Sequence, residues 1–268
     1  MIELRNLTKL FGRKEEAALA MAERGAGKAE ILAATGCTLA LRDVTLDMAN
    51  GEVCVLMGLS GSGKSTLVRH INRLIEPSAG DIRVDGTDVR SFDAKALREF
   101  RRSHVSMVFQ GFGLLPHLDV LDNVAFGLVA RGEKPEIAHP KAREWIAAVG
   151  LEGYETARPD VLSGGMKQRV GLARALAVET GILLMDEAFS ALDPLTRADM
   201  QDLLLHLQQR LKRTIVFVTH DLDEAVRLGN RIVIMKDGAI VQTGTPDDIL
   251  NHPANDYVAR FVQIRNRD

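Results

Sequence analysis

Apolar and polar positions along the chain predict strands that alternate with helices. Continuous apolar runs, typical of buried parallel strands, occur at Val53–Met57, Ile182–Met185 and Ile215–Val218. Between the second and third runs, Asp193 can cap a helix and Pro194 suits its first turn. This alternation predicts an α/β fold. The apolar face of that helix consists of Met200, Leu203, Leu204, Leu207 and Leu211.

Other segments predict antiparallel strands. Ile2–Arg5 and Arg42–Met48 have strand patterns, and Ile82–Gly86 reads as a strand that ends in an Asp-Gly turn. Ile232–Met235 and Ala239–Gln242 are predicted to form a hairpin through Lys-Asp-Gly. We therefore expect antiparallel strands in addition to the buried parallel strands.

Three further segments are predicted to be helical. Lys14–Thr35 is rich in Ala, Glu and Lys and is interrupted near Gly25–Gly27, which predicts one or two short helices. Residues 91–159 are largely helical in pattern, with Gly150 as a left-handed cap, and the tail after Pro246 is short and helical. We expect one domain with a core at about 1–90 and 160–245, an insertion at 14–35, a helical subdomain at about 91–159 and a tail at about 246–268.

Composition excludes some classes of protein. The 268 residues carry a net charge of −2 without a basic cluster, which argues against nucleic acid as the main partner. The two cysteines, Cys37 and Cys54, suggest neither a disulfide framework nor a zinc site, so a reducing cytosol fits. Cys54 lies in a predicted strand and is expected to be a small buried residue. No apolar run approaches the roughly 18 residues of a membrane span.

The segment Gly58–Thr66 is a complete phosphate-binding loop. It matches G-x-x-x-x-G-K-[ST] between a predicted strand and a predicted helix, the context this motif requires. Glycines let backbone N–H groups approach phosphate oxygens, Lys64 supplies a positive charge and the Ser65 hydroxyl is a magnesium ligand. The alternative is a chance glycine-rich turn.

A second acidic element follows the strand at Ile182–Met185. Asp186 stands at the carboxyl end of that strand, where it can hold magnesium directly or through water. Glu187 is the candidate to polarise the attacking water. The alternative is an ordinary strand that enters a polar loop.

The segment Leu162–Arg169 predicts a second anion site. Ser163 is a good N-cap, and two glycines expose backbone N–H groups at the start of the following helix. The plainer interpretation is a capped helix after a loop. Two phosphate-binding helix starts in one chain suggest that they meet across a dimer.

Together these segments resemble ATP-binding cassette (ABC) ATPases over nearly the whole chain. Gln110 resembles the Q-loop glutamine, Asp186 and Glu187 the Walker B aspartate and catalytic glutamate, and His220 the switch histidine. The resemblance implies a P-loop NTPase core of ABC type with an antiparallel β subdomain and an inserted helical subdomain. The remaining motifs are the Walker A loop (Gly58, Leu59, Ser60, Gly61, Ser62, Gly63, Lys64, Ser65, Thr66), the signature motif (Leu162, Ser163, Gly164, Gly165, Met166, Lys167, Gln168) and the D-loop (Ser190, Ala191, Leu192, Asp193).

The resemblance also implies a role for each motif. Glu187, His220 and Gln110 would be catalytic. ATP would contact the Walker A loop, and the signature motif would act in trans on the ATP of a second copy. Phe11 is the candidate to stack on adenine, with a core role as its alternative, because the insertion follows it closely. ATP would also contact Gln110, Asp186 and His220, and Mg²⁺ would be held by Ser65, Gln110 and Asp186.

The insertion and phrases such as Asn-Arg-Leu-Ile-Glu-Pro resemble ATPases of importers for quaternary amines such as choline or glycine betaine. This implies a homodimer that sandwiches ATP and acts with integral-membrane permease subunits, and indirectly with a substrate-binding protein, at the cytoplasmic face of the inner membrane. Many members continue into regulatory CBS domains, which we do not expect in this sequence. An importer for histidine or proline is the alternative.

Two other classes are less compatible with the motifs. A soluble ABC ATPase that acts on DNA or ribosomes would carry a very long coiled coil or two cassettes. A degenerate cassette that serves as a scaffold would lack Glu187 or His220. Gly111–Val129 is unusually apolar, and we expect Phe112, Leu114 and Leu115 to be partly exposed and to receive a permease helix.

Overall fold

A computed structural model describes residues 1–265, and residues 266–268 of the predicted helical tail lie outside the described residues. The strands are β1 Ile2–Phe11, β2 Thr38–Met48, β3 Val53–Met57, β4 Ala79–Val84, β5 Thr87–Asp88, β6 Val105–Val108, β7 Ile182–Asp186, β8 Thr214–Thr219, β9 Arg231–Lys236 and β10 Ala239–Gly244. The helices are α1 Glu15–Glu23, α2 Lys28–Thr35, α3 Lys64–Ile71, α4 Ala94–Ser103, α5 Val120–Ala130, α6 Pro135–Ala148, α7 Gly164–Ala177, α8 Pro194–Leu211, α9 Leu222–Leu228, α10 Pro246–Asn251 and α11 Asp256–Arg265. The fold is α/β, as predicted.

The described chain forms two compact units. One contains residues 1–97 together with the segment from Val218 onward, and the other contains Arg98–Phe217. The division into core, insertion, helical subdomain and tail stays a prediction.

An antiparallel sheet in the first unit has the strand order β2-β1-β4-β5. Ile2 lies opposite Met48 on one side and Val84 on the other, and all three side chains are buried. The register of β1 with β2 shifts after Leu4, where Asn6 has a φ of +49°. β1 extends well beyond the strand predicted at Ile2–Arg5. The prediction stops early because this irregularity breaks the two-residue alternation of buried and exposed positions.

The insertion forms two helices, as predicted. α1 and α2 are separated by residues 24–27, and Gly25 has a φ of +86°. They cover part of the antiparallel sheet with a small apolar cluster, so the insertion belongs to the core of this unit. The buried members are Leu10, Ala18, Ala22, Ile31, Cys37 and Leu39.

Parallel strand β3 in the first unit leads into the phosphate loop. Every residue of β3 is buried, and β3 pairs with β9 through Cys54 opposite Arg231 and Met57 opposite Ile234. β9 and β10 form the predicted hairpin, in which Asp237 and Gly238 both have positive φ. This arrangement places the carboxyl ends of β3 and β9 at the same edge.

The second unit combines parallel strands with a helical core. β6 pairs with β7, with Val105 opposite Ile182 and Val108 opposite Met185. Helices α5, α6 and α7 pack against one another. Val149 is the C-cap of α6, and Gly150 follows it with a φ of +70°, as its predicted left-handed role requires. The buried core consists of Val120, Leu121, Val124, Ala125, Leu128, Ala138, Ala142, Ile146, Val149, Leu151, Leu162, Val170, Ala173 and Ala177.

Candidate functional site

The phosphate loop joins β3 to α3 along a path that only glycine tolerates at two positions. Gly58 has a φ of +152° and Gly63 a φ of +102°. A Cβ at Gly58 would lie 2.3 Å from the Met235 carbonyl oxygen, and one at Gly63 would lie 2.8 Å from the Ala40 carbonyl oxygen. Either side chain would push the backbone away, so the shape of the loop depends on both glycines.

Lys64 folds back over the loop at the start of α3. Its side chain is buried, and its ammonium donates to the carbonyl oxygens of Gly58 at 2.8 Å and Leu59 at 3.1 Å. The Ser62 hydroxyl is also buried and has no hydrogen-bond partner among the described residues. An ammonium, an unpaired hydroxyl and a helix N-terminus together fit a phosphate group.

The residue types expected to hold Mg²⁺ are present in both units. Ser65 is half-buried in the first turn of α3, and Asp186 is 3% exposed at the end of β7. Hydroxyl and carboxylate oxygens suit Mg²⁺, which usually binds through one or two protein ligands plus substrate phosphates. Within residues 1–265, no cluster of three or more His, Cys, Asp or Glu forms a metal site by itself. The donor types therefore fit a metal that binds together with nucleotide.

Glu187 has an unusual backbone and a fixed carboxylate. Its φ is +48°, a left-handed conformation that is uncommon for a glutamate. Its carboxylate accepts a hydrogen bond from the Gln110 amide at 3.0 Å. Ser190 holds the strained residue in place, because its backbone N–H and its hydroxyl donate to the Glu187 carbonyl oxygen at 3.2 and 2.9 Å. Such strain persists where neighbouring groups impose it, most often at functional sites.

Gln110 is exposed just after β6 and begins a turn that Arg174 holds from α7. The Arg174 guanidinium donates to the carbonyl oxygens of Phe112 at 3.2 Å and Gly113 at 2.6 Å. Burial lowers the pKa of Arg174. The side chains of Phe112 and Leu115 are partly exposed, as expected. Leu114 is partly exposed as well, although it packs against the helical core.

The signature motif begins α7 as predicted. The Ser163 hydroxyl accepts from the Met166 N–H at 3.3 Å. A Cβ at Gly165 would lie 2.5 Å from Cγ2 of Thr196 on α8. Thr196 also donates its N–H to the Asp193 carboxylate at 3.0 Å, which caps α8 and lowers the pKa of Asp193. The signature motif and the D-loop therefore meet at Thr196, and Gly165 is needed there for close packing.

Two further residues of the signature motif and D-loop are buried. Gln168 is fully buried, and neither of its amide atoms has a hydrogen-bond partner among the described residues. Leu192 is buried at the end of the D-loop.

His220 is exposed on a well-anchored turn after β8. The preceding Thr219 hydroxyl donates to the Glu224 carboxylate at 2.5 Å and accepts from the Asp221 N–H at 3.0 Å. Asp221 caps α9 by accepting from the N–H groups of Asp223 and Glu224 at 2.8 and 3.3 Å. The turn is therefore fixed on both sides, while the imidazole of His220 projects from it.

Phe11 is not a core residue. Its side chain is 43% exposed, and the Lys9 ammonium lies 5.1 Å from the centroid of its ring. Lys9 also pairs with Glu15 of the insertion at 3.1 Å. Hydrogen bonding from Ser78, followed by Lys9, lowers the pKa of Glu15. The insertion thus stabilises the surroundings of Phe11, and an aromatic face is available there for a base.

The two units carry different motifs. The first holds Phe11, the phosphate loop and His220, and the second holds Gln110, Asp186, Glu187, the signature motif and the D-loop. Sequence reasoning did not find the anchoring roles of Arg174, Ser190 and Thr219. Their side chains bond to groups that lie 62, three and five positions away, respectively, and no sequence motif marks such bonds.

The phosphate loop, the Gln110–Glu187 pair and the capped signature helix define an ATP-binding cassette. The chain belongs to the ABC transporter family, whose model matches residues 41–190. Within the described residues 1–265, no helix is both long and apolar enough to cross a membrane.

Curated relatives match nearly the whole chain. It is 55% identical over 262 residues to the glycine betaine/proline betaine transport system ATP-binding protein ProV of Escherichia coli strain K12, which covers 98% of this chain and 66% of that protein. It is 54% identical over 266 residues to the glycine betaine/carnitine transport ATP-binding protein GbuA of Listeria monocytogenes, covering 99% of this chain and 67% of that protein. The trimethylamine N-oxide transport system ATP-binding protein TmoW of Ruegeria pomeroyi is 52% identical over 98% of this chain and 77% of that protein. The chain spans about two thirds of the length of the first two relatives.

Solved structures agree with the fold. The dimeric bacterial ABC transporter cassette MJ0796 matches with a TM-score of 0.78 and 34% identity over 92% of this chain and 99% of that chain. A post-hydrolysis dimer of the same cassette, bound to ADP and phosphate, matches with a TM-score of 0.78 and 33% identity over 92% of this chain and 99% of that chain. The predicted ABC fold and family are confirmed.

Proposed function

We propose that this chain is the ATP-hydrolysing, energy-coupling subunit of an ABC importer for quaternary amines. The observation that carries the hydrolytic role is the Glu187 carboxylate, held in a left-handed backbone conformation and bonded to Gln110 at 3.0 Å. A cassette that served only as a scaffold would have no need of a strained, oriented carboxylate.

The chemistry follows from the residue types. Lys64 and the N–H groups of the phosphate loop bind the β- and γ-phosphates. Ser65, Asp186 and Gln110 would hold Mg²⁺, which would supply positive charge to the phosphates. Glu187 polarises a water whose oxygen forms a bond to the γ-phosphorus, while the bond from that phosphorus to the β,γ-bridging oxygen breaks and leaves ADP. His220 donates to the γ-phosphate, and Phe11 stacks on adenine.

The second anion site serves a second copy. Ser163 and the N–H groups after it begin a helix of 14 residues, which attracts anions at its N-terminus. We propose that this helix start binds the γ-phosphate of ATP held by a partner cassette. Two copies would then enclose two ATP molecules, as the dimeric state of the structural neighbours suggests.

The relatives suggest the substrate class. They are transport ATP-binding proteins for glycine betaine, proline betaine, carnitine and trimethylamine N-oxide, whose shared chemistry is a fully substituted ammonium or amine oxide. We propose uptake of such a compound through integral-membrane permease subunits and a substrate-binding protein. The cassette would lie peripherally at the cytoplasmic face of the inner membrane.

The test is reconstitution of the subunit with the permease and binding protein that co-purify with it. ATP-dependent uptake of glycine betaine, choline and trimethylamine N-oxide is compared with uptake of histidine and proline. Lys64→Ala serves as the inactive control. ATP-dependent uptake of a quaternary amine is the expected result. Uptake of histidine or proline alone would favour the amino-acid alternative, and ATP hydrolysis without any associated permease would contradict the importer role.

A further inference from the structure

The backbone of Leu59 links the lysine of the phosphate loop to the C-terminal helix α11. The Leu59 carbonyl oxygen accepts from the Lys64 ammonium at 3.1 Å and from the Ser62 N–H at 3.1 Å. The Leu59 N–H donates to the Tyr257 hydroxyl at 3.5 Å. The side chain of Leu59 is 57% exposed, so its backbone rather than its packing fixes this part of the loop.

Tyr257 is held rigidly where the loop meets β9. Its hydroxyl donates to the Met235 carbonyl oxygen at 3.2 Å, the same oxygen that a Cβ at Gly58 would meet at 2.3 Å. A tyrosine hydroxyl can accept one bond and donate another at the same time. Burial raises the pKa of Tyr257, so the hydroxyl stays protonated and able to donate at neutral pH.

Two neighbours fix the tyrosine ring. The ring of Phe261, one turn later on α11, packs edge-on with centroids 5.2 Å apart. The Lys236 ammonium lies 4.9 Å from the centroid of the Tyr257 ring. Side-chain freedom is therefore low, and the hydroxyl can hold the loop without a large entropic cost.

We propose that Tyr257 is a positioning residue for the phosphates of ATP and acts on the Lys64 ammonium through the backbone of Leu59. This inference rests on the proposed ATP-binding function of the loop. Leu59 lies at the beginning of the loop, ahead of the N–H groups at the start of α3. Tyr257 therefore satisfies an N–H that does not belong to the helix start.

The variant Tyr257→Phe removes the hydroxyl and keeps the ring. Equilibrium binding of ATP, ADP and AMP to the purified subunit is the readout. We expect ATP and ADP to bind about three- to tenfold more weakly, the effect of one lost hydrogen bond, and AMP binding to stay unchanged. In ATP hydrolysis, KM rises by a similar factor while kcat changes little.

A double-mutant cycle with Lys64→Ala separates positioning from general support of the fold. If Tyr257 acts through Lys64, Tyr257→Phe has no further effect on ATP binding in the Lys64→Ala background. Tyr154→Phe is the matched control, because the chain has two tyrosines and Tyr154 is 47% exposed in the other unit. Phe261→Leu keeps the Tyr257 hydroxyl but removes the ring that packs against Tyr257. It should therefore weaken ATP binding less than Tyr257→Phe does, and its effect should also disappear in the Lys64→Ala background.

Three results would overturn the inference: equal loss of AMP and ATP binding, additive effects in the cycle, or unchanged ATP binding in Tyr257→Phe. If Tyr257→Phe does not fold, the Phe261→Leu cycle decides by the same criteria. Failure of the unsubstituted subunit to bind ATP would instead contradict the proposed function itself, so the two failures are distinguishable.

Discussion

The amide of Gln110 donates a hydrogen bond to the carboxylate of Glu187 at 3.0 Å. Gln110 is exposed after β6, and Glu187 follows β7, the strand paired with β6. A donor at the Q-loop therefore orients the carboxylate proposed to act on water. Movement of the Q-loop would release that carboxylate, which gives a direct physical route from the Q-loop to hydrolysis.

The first prediction concerns this carboxylate. Glu187→Gln keeps the shape of the side chain but removes the charge that draws on the proton of water. Turnover should fall by roughly 10² or more, while ATP still binds and traps a dimer. ATPase rates and size-exclusion chromatography with ATP measure both effects. Glu152→Gln, at an exposed turn, is the control, and hydrolysis near the unsubstituted rate in Glu187→Gln would remove this residue from its role.

The second prediction concerns the signature motif in trans. Gly165→Asp is a poor probe, since its side chain would collide with Thr196 within the same subunit. At Gly164, the nearest neighbour of an added Cβ is Cζ of Phe112 at 3.9 Å, an ordinary contact. Gly164→Asp should therefore fold and bind ATP as a monomer, but its charge should repel the phosphate of a partner and block ATP-driven dimerisation.

Gly181→Asp is the matched control for this experiment. A Cβ at Gly181 meets nothing within 4 Å, and Gly181 lies outside the signature motif. We expect dimerisation with ATP in the control, measured by light scattering. If Gly164→Asp lost ATP binding by the monomer as well as dimerisation, the motif would act within one subunit.

The third prediction concerns the two thiols. Cys37 and Cys54 are both buried and free, and burial raises the pKa of Cys54 to about 12. Both thiols are shielded by burial, and the reactive thiolate form of Cys54 is also disfavoured, so neither residue should react with a disulfide reagent at pH 8 until the protein unfolds. A spectrophotometric thiol titration with and without denaturant measures this. Rapid labelling of either thiol in the native state would contradict the packing of β3 or of the insertion.

The fourth prediction concerns adenine recognition. Phe11→Ala removes the exposed aromatic face, so ATP and AMP should both bind about five- to 100-fold more weakly, as expected for the loss of a stacking contact. Phe11→Tyr keeps the ring and should bind nearly as the unsubstituted protein does. Leu32→Ala, with a side chain 50% exposed on α2, is the control for effects of the insertion. Unchanged AMP binding in Phe11→Ala would place adenine elsewhere.

Much of the fold could be predicted because local chemistry and tertiary packing agree. In three places the local sequence pattern favours the structure that is observed. These are the strand, phosphate loop and helix at residues 53–71, the helix cap at Asp193 and the hairpin through Gly238. The predicted strands at Ile2–Arg5 and Arg42–Met48 are shorter than β1 and β2. A register shift near Asn6 and Asp43, where the Asn6 amide bonds to Asp43 at 2.7 Å, breaks the alternation that the prediction depends on.

The sequence predicts the residues of the candidate site, but it does not predict the groups that hold them in place. Motif spacing singles out Lys64 and Glu187, whose side chains are proposed to carry the chemistry. It does not identify Arg174, whose guanidinium donates hydrogen bonds to the carbonyl oxygens of Phe112 and Gly113, 62 and 61 positions earlier in the sequence. Nor does it identify Thr196, which a Cβ at Gly165 would meet. Such contacts depend on tertiary packing, which leaves no periodic signal in the sequence.

The last prediction concerns the permease. The side chain of Leu115 is partly exposed, while its backbone is held by the fully buried Asn123. The Asn123 amide accepts a hydrogen bond from the Leu115 N–H at 2.8 Å and donates one to the Leu115 carbonyl oxygen at 3.0 Å. Leu115→Glu should therefore change only the surface of this turn. We expect ATP binding to be kept and permease association and transport to be lost, because a charge in an apolar groove disfavours a docked helix.

Ile137→Glu is the control for the Leu115 experiment, since Ile137 is 53% exposed on α6. Co-purification with the permease and substrate uptake measure the two expected effects. Normal assembly and transport by Leu115→Glu would place the docking site outside the turn after Gln110. Equal loss in Ile137→Glu would show that the wider helical surface, rather than this turn, contacts the permease.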